Sequence, residues 1–256
     1  MSPWRVAAAV AIALPHAAAA APLPEPGFGL PRDASVDGAR IDWLIHFTVL
    51  ASAIIFVIVG AMLLFSLIRH RRRHPAVYAP GSKASIGVVV GFVALVAVSV
   101  DGTLFLHTIA DMKGFFWNFA AAERHPDVVR IEVQAHQWAW QARYPGPDGK
   151  FDSPDDVVTL NDIRVPLGAP ILVQLASRDV IHSFNLPHFR VKRDAVPGDI
   201  TKLTFQAKVA GEYEIACAQH CGPNHYKMRG ILTVLSPEGY RDWLRTAEQE
   251  ARRRYD

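Results

Sequence analysis

Cys217-Ala218-Gln219-His220-Cys221-Gly222-Pro223-Asn224-His225-Tyr226-Lys227-Met228 puts two thiols, two imidazoles and a thioether into one short stretch, and the chain has no other cysteine. Such a loop is suited to holding metal. Sulfur ligands prefer soft metals, imidazole suits copper and zinc alike, and a weakly held methionine beside cysteine and histidine is the donor set of electron-transfer copper. Two cysteines in one such loop point to two copper ions sharing them. Two plainer readings use some of the same residues: a small disulfide loop formed outside the cytoplasm, and a zinc site made by Cys, Cys and His. Neither gives Met228 a task, although methionine also serves as core filler.

Upstream, Asp179-Val180-Ile181-His182-Ser183-Phe184 adds a histidine, and Asp194-Ala195-Val196-Pro197-Gly198 follows it. Taken with Cys-x-x-x-Cys-Gly-x-x-His-x-x-Met, these motifs resemble subunit II of the haem-copper cytochrome c oxidases. The likeness runs from the first apolar span to about Val234, leaving the N-terminal leader and the tail after Ser236 outside it. It implies a binuclear copper A centre in which Cys217 and Cys221 bridge two copper ions while His182 and His225 each bind one. Met228 is then a weak ligand to one copper, and the backbone carbonyl of Gln219 a weak ligand to the other. Many members carry glutamate where this chain has Gln219, and its side chain reaches a magnesium ion at the subunit interface. Glutamine lacks the anionic oxygen a hard cation wants, so the resemblance carries the coppers but leaves magnesium without its acidic ligand.

The same resemblance assigns partners and a direction of electron flow. Cytochrome c donates, haem in subunit I accepts, and oxygen is reduced there with the help of the other oxidase subunits. Within Gln137-Trp138-Ala139-Trp140-Gln141-Ala142-Arg143-Tyr144, Trp138 falls at the family's port for the cytochrome c electron. Trp140 reads as barrel core, and Ala139 stands where a tyrosine is often found. Two other classes compete: a copper-free quinol oxidase subunit II, which lacks the ligands present here, and a copper-delivery protein, which would exchange its metal readily. Nitrous oxide reductases share a similar loop but on a soluble chain.

Half of the 256 residues are hydrophobic, more than one compact domain needs, and the excess precedes residue 110. Arg5, the apolar run 6–14 and Ala18-x-Ala20 make residues 1–21 a signal peptide by composition. Residues 47–68 carry no charge and, at about 1.5 Å per residue, are long enough to cross a bilayer. Arg69-His70-Arg71-Arg72-Arg73-His74 follows at once, which by the positive-inside rule marks the cytoplasmic end. That cluster sets topology rather than binding nucleic acid, and no nucleic-acid partner is expected. A second apolar run, 86–100 and onward to about 106 or 110, returns the chain outside. Asp101 reads as lying near its outer end, and Lys83 and Ser85 stand where the family commonly has a proton-pathway glutamate.

From Val128 the pattern changes to short β-type runs at 128–134, 171–176, 202–206, 211–216 and 230–235, separated by Pro and Gly clusters. Such spacing argues for an all-β sandwich or barrel; the family counterpart is a cupredoxin-like Greek-key β-barrel. The expected organisation is a signal peptide at 1–21, an extracytoplasmic leader at 22–42 and a transmembrane helix hairpin at 43–110. A cupredoxin-like copper A domain at 114–236 follows, with a C-terminal tail at 237–256 that reads as a solvent-exposed helix available to another subunit. The expected location is the bacterial plasma membrane, with the copper domain outside. Charges after Phe115 roughly balance, so a docking patch must be local, with Asp148, Asp152, Asp155, Asp156 and Asp179 as candidates. His136, His188 and His220 receive no role.

Overall fold

The computed structural model describes residues 29–71, 78 and 80–253; the expected signal peptide lies outside them. Among the described residues, two helices are long and apolar enough to cross a membrane, Gly38–Arg69 and Lys83–Arg124. The first, α1 (Gly38–Arg69), begins well before the uncharged stretch at 47 because its early charges have partners. Arg40 lies 3.5 Å from Asp111 at the far end of the second helix. Asp42 accepts from the Arg190 guanidinium at 2.6 and 3.1 Å. Charges that read from sequence as the limit of a span here join the two membrane helices to each other and to the β domain.

The second helix starts at α2 (Lys83–Val96) with a reciprocal cap, Ser82 Oγ accepting from the Ser85 N–H and Ser85 Oγ from the Ser82 N–H. It passes through a π-helical turn, Ala97–Asp101, into α3 (Gly102–Asp111) and a second π-helical turn, Met112–Phe116. A short helix, α4 (Phe119–Arg124), leads into the β domain. The helical hairpin therefore extends beyond the expected 43–110 at both ends.

Ten strands follow: β1 (Val129–His136), β2 (Ala139–Tyr144), β3 (Val157–Leu160), β4 (Asp162–Pro166), β5 (Pro170–Ser177), β6 (His182–Leu186), β7 (Val191–Ala195), β8 (Thr201–Gln206), β9 (Gly211–Cys217) and β10 (Arg229–Leu235). They form two five-stranded sheets ordered β3-β2-β1-β5-β8 and β4-β10-β9-β6-β7. The parallel pairs β1–β5 and β4–β10 require the chain to cross between sheets, as a Greek-key fold does. A bridge between Ser177 and Pro197 ties the sheets together at one corner. This is the membrane-anchored, cupredoxin-like β domain that the sequence leads one to expect.

Strand alternation builds the core. Ile131 and Val133 of β1, Trp140 and Ala142 of β2, Ile215 of β9 and Leu232 of β10 are buried between the sheets. Each large apolar side chain so buried contributes about 1.5–3 kcal/mol. The tail differs from its expected form: α5 (Pro237–Arg253) lays Tyr240, Trp243, Leu244, Ala247 and Ala251 on its own domain. Trp243 meets Tyr144 edge-on at 5.1 Å and takes the Arg164 guanidinium on its face at 5.4 Å. Its apolar residues recur at helical spacing, so the helix covers the sheet while its other face stays in water.

Candidate metal centre

The register of three adjacent strands assembles the site. β6 pairs with β9 so that Phe184 lies opposite Cys217, and β9 pairs with β10 so that Ala216 lies opposite Arg229. His182 at the start of β6, Cys217 at the end of β9 and Met228 just before β10 therefore meet at one end of the second sheet. Main-chain bonds close the arrangement: Ala218 N–H to the Ser183 carbonyl at 3.0 Å and Cys217 N–H to the Met228 carbonyl at 3.2 Å. His182 is thus held by a strand, and it is fully buried.

All six expected donors converge. His182 Nδ1 is 3.1 Å from Met228 Sδ, which is 3.7 Å from Cys221 Sγ. Cys221 Sγ in turn lies 3.8 Å from Cys217 Sγ and 3.6 Å from His225 Nδ1. Cys217 Sγ sits 3.2 Å from the Gln219 carbonyl oxygen. The ligand atoms of His182, Cys217 and Cys221 all lie within 4.8 Å of one another. Both cysteines are free thiols in the structure, their sulfurs facing each other. Two thiols, two imidazole nitrogens, a thioether and a carbonyl in one cluster fit copper by the chemistry of the donors.

Electrostatics around the cluster prepare it for a cation. His182 Nε2 donates to Asp179 Oδ1 at 2.8 Å, which fixes the tautomer and leaves the Nδ1 lone pair facing the thioether and thiols. Burial acts to raise the Asp179 pKa, but hydrogen bonds from the His182 ring and the Gln137 and Val180 N–H groups outweigh it and bring it down to about 2. The Cys221 thiol is pushed up to about 12, by burial first and by the adjacent Cys217 second. The metal-free site therefore holds a proton at neutral pH that a metal must displace.

Asp179, which the sequence offers as one of several docking candidates, is exposed and also supports His182. Its position three residues before His182, in the same motif, is the signal that points to its supporting role. Asp152 and Asp156 face Arg143, and Asp155 accepts from Ser153 Oγ at 2.6 Å, so these acids serve their own loop. Gln137 was also missed: its side-chain amide donates to the Cys221 carbonyl at 2.7 Å, and its N–H to Asp179 Oδ2 at 2.7 Å. Trp138, the expected electron port, is half-buried against the loop. Gly222 makes the approach feasible. Its φ is +126°, and a Cβ there would lie 2.8 Å from Gln137 Nε2 and 3.4 Å from Trp138 Nε1. Trp140 is core, as expected, standing edge-on to Phe184 at 5.2 Å and to the His182 ring at 6.1 Å. Of the histidines without a role, His220 packs edge-on to His225 at 5.6 Å and His188 lies 5.3 Å from the Tyr213 ring.

Residues 129–235 match the family model described as cytochrome c oxidase subunit II, periplasmic domain. The alternative cytochrome c oxidase subunit 2 of Bradyrhizobium diazoefficiens is 30% identical over 233 residues, 80% of this chain and 79% of that protein. Cytochrome c oxidase subunit 2 of Cereibacter sphaeroides is 29% identical over 88% of this chain and 82% of its own length. A crystal structure of the periplasmic domain of subunit II of cytochrome oxidase from Bradyrhizobium japonicum is 28% identical, covering 48% of this chain and 94% of that one, with a TM-score of 0.43. With 30% identity sustained over most of both proteins, this membrane-anchored chain belongs to the cytochrome c oxidase subunit II family, a component of haem-copper oxidoreductase complexes.

Proposed function

We propose that this chain accepts electrons from cytochrome c at a copper A centre of two copper ions and passes them to haem in subunit I. The observation that carries the reading is the convergence of His182 Nδ1, Cys217 Sγ, Cys221 Sγ, His225 Nδ1, Met228 Sδ and the Gln219 carbonyl around one small volume. Cys217 and Cys221 would be shared between the metals, His182 and His225 would each hold one, and Met228 and the Gln219 carbonyl would complete the set. Bound there, the copper pair would supply reversible one-electron transfer with the charge change spread over both ions. The chain's own contribution is rigidity. Asp179 locks the His182 ring, Gln137 ties down the Cys221 carbonyl, and the strands on either side leave the ligands little room to move. Trp138, packed over Gly222 beside the loop, is the proposed port for the incoming electron. Gln219 is exposed and has no anionic oxygen, so no magnesium ligand is assigned to it.

Copper analysis with EPR on the copper-loaded protein tests this. Two coppers per chain and a hyperfine pattern shared between equivalent nuclei are expected. A single copper, or a signal confined to one nucleus, would return the loop to a mononuclear site.

The proposed topology follows from the basic residues after α1. With Arg69, Arg71 and their neighbours on the cytoplasmic side of a bacterial plasma membrane, the β domain lies outside. Single cysteines introduced at position 78 and at position 250, in a background free of other reactive thiols, should be labelled by an impermeant reagent on intact cells at 250 alone. Labelling at 78 and not at 250 would invert the orientation.

A further inference from the structure

The second membrane helix carries an acid that no described residue answers. Asp101 closes the π-helical turn Ala97–Asp101 and is exposed on the surface of the chain. Among the described residues none forms a hydrogen bond or ion pair with it. The nearby hydroxyls are already engaged with their own helix, Ser99 Oγ donating to the Leu95 carbonyl and Thr103 Oγ1 to the Ser99 carbonyl, each at 2.6 Å. The first membrane helix has no charged residue between His46 and Arg69 to offer.

Depth makes this matter. At about 1.5 Å per residue, Asp101 lies roughly 15 Å along the helix from Asp111 and about 27 Å from Lys83. The Lys83-to-Asp111 length is then about 42 Å, against about 30 Å of hydrocarbon, so a centred span places Asp101 several ångströms inside the apolar layer. The aromatic belt agrees. Trp43 and His107 pack at 4.5 Å near the Asp111 end, and Asp101 lies six positions deeper than His107. An aspartate has one methylene and cannot snorkel out from there as lysine or arginine can. Carboxylates at such depth face a protein interior or a polar partner, and π-turns recur at functional positions in helices. The helix also invites a close neighbour: a Cβ on Gly87 or on Gly91, one turn apart, would meet nothing within 4 Å.

The geometry points to Asp101 as a subunit contact: the exposed face of the second membrane helix packs against a membrane-spanning helix of a partner oxidase subunit that sets a basic side chain, Lys, Arg or His, against the Asp101 carboxylate. The inference rests on the family's oxidase assembly and on the two-span fold, and is independent of the copper proposal. Sequence alone placed Asp101 near the outer end of the span. In the structure the helix itself runs on past that expected end to Phe116.

The test uses the assembled oxidase. A benzophenone amino acid at position 101, photolysed in native membranes, should form an adduct with a membrane helix of a partner subunit; adducts with lipid alone would overturn the inference. In parallel, Asp101→Leu and Asp101→Asn are compared with wild type for haem retained per tagged subunit II as the detergent-solubilised complex is diluted. Leucine favours insertion of the span, so weaker assembly cannot be put down to a failed helix. Both variants should dissociate at concentrations about 3- to 30-fold higher, the range for interhelical polar contacts. Asparagine should be no better than leucine, because it leaves the partner's cation unpaired. The copper signal should be unchanged in both. Wild-type dissociation for Asp101→Leu would remove the contact, and wild-type behaviour for Asp101→Asn alone would make the partner a neutral donor and overturn the basic side chain.

Discussion

Cys221→Ser is expected to take the copper content of the chain from two to one or none and to abolish the shared hyperfine pattern. Cys221 Sγ is the hub of the cluster: it touches Cys217 Sγ, His225 Nδ1 and Met228 Sδ, and the residue is only 3% exposed. Serine conserves shape but puts a hard oxygen where a soft ligand is needed. Loss of an outer-shell support such as the Asp179–His182 hydrogen bond typically costs about 10- to 100-fold in metal affinity, and loss of a shared ligand should exceed that. Met228→Leu is the informative contrast. In the proposed centre its thioether would be one weak donor among six, so the site should keep copper and shift in potential. Metal analysis with EPR and circular dichroism on the same samples checks the result, the last confirming that the sandwich is intact. Two coppers and an unaltered signal in Cys221→Ser would show that this sulfur is not shared.

Donor identities lie in the sequence itself, which is why the Cys217–Met228 loop and His182 could be read as one cluster before any coordinates. The support of that cluster depends on side-chain direction, which the sequence does not carry. Asp179 is one of many acids by composition; only the fold turns it onto His182 Nε2. Gln137 is likewise an ordinary polar neighbour until the β1–β2 connection brings its amide to the Cys221 carbonyl. The strands divide in the same way. β5, β8, β9 and β10 are apolar enough to be seen, whereas β7 reads Val-Lys-Arg-Asp-Ala, an edge strand whose charges conceal it. β6 opens with His182 and Ser183, polar yet buried, and Ser183 is satisfied by Asp194 Oδ1 at 2.6 Å. At the membrane the early charges of α1 made the span look shorter than the helix, because their partners, Asp111 and Arg190, are distant in sequence.

Trp138→Phe should slow electron delivery from cytochrome c by orders of magnitude while leaving the copper signal as it is in the wild type. The structure allows these two effects to be separated. Trp138 lies outside the donor set and comes close to the loop at Gly222, while the neighbouring Gln137 donates to the Cys221 carbonyl. Its Nε1 is enclosed and has no hydrogen-bond partner among the described residues, so phenylalanine removes no bond and relieves an unsatisfied donor. What phenylalanine does remove is part of a large, half-buried indole beside the loop. Trp140→Phe supplies the control. That ring is fully buried and stands edge-on to His182, so shrinking it should loosen the imidazole and change the copper signal. Stopped-flow transfer from reduced cytochrome c, run for wild type and both variants across ionic strength, gives the comparison. Salt should weaken encounter for all three alike, since exposed charges are screened over about 8 Å at physiological ionic strength. A Trp138→Phe protein that accepts electrons at the wild-type rate would make this tryptophan a packing residue, and so would one whose copper signal moves with that of Trp140→Phe.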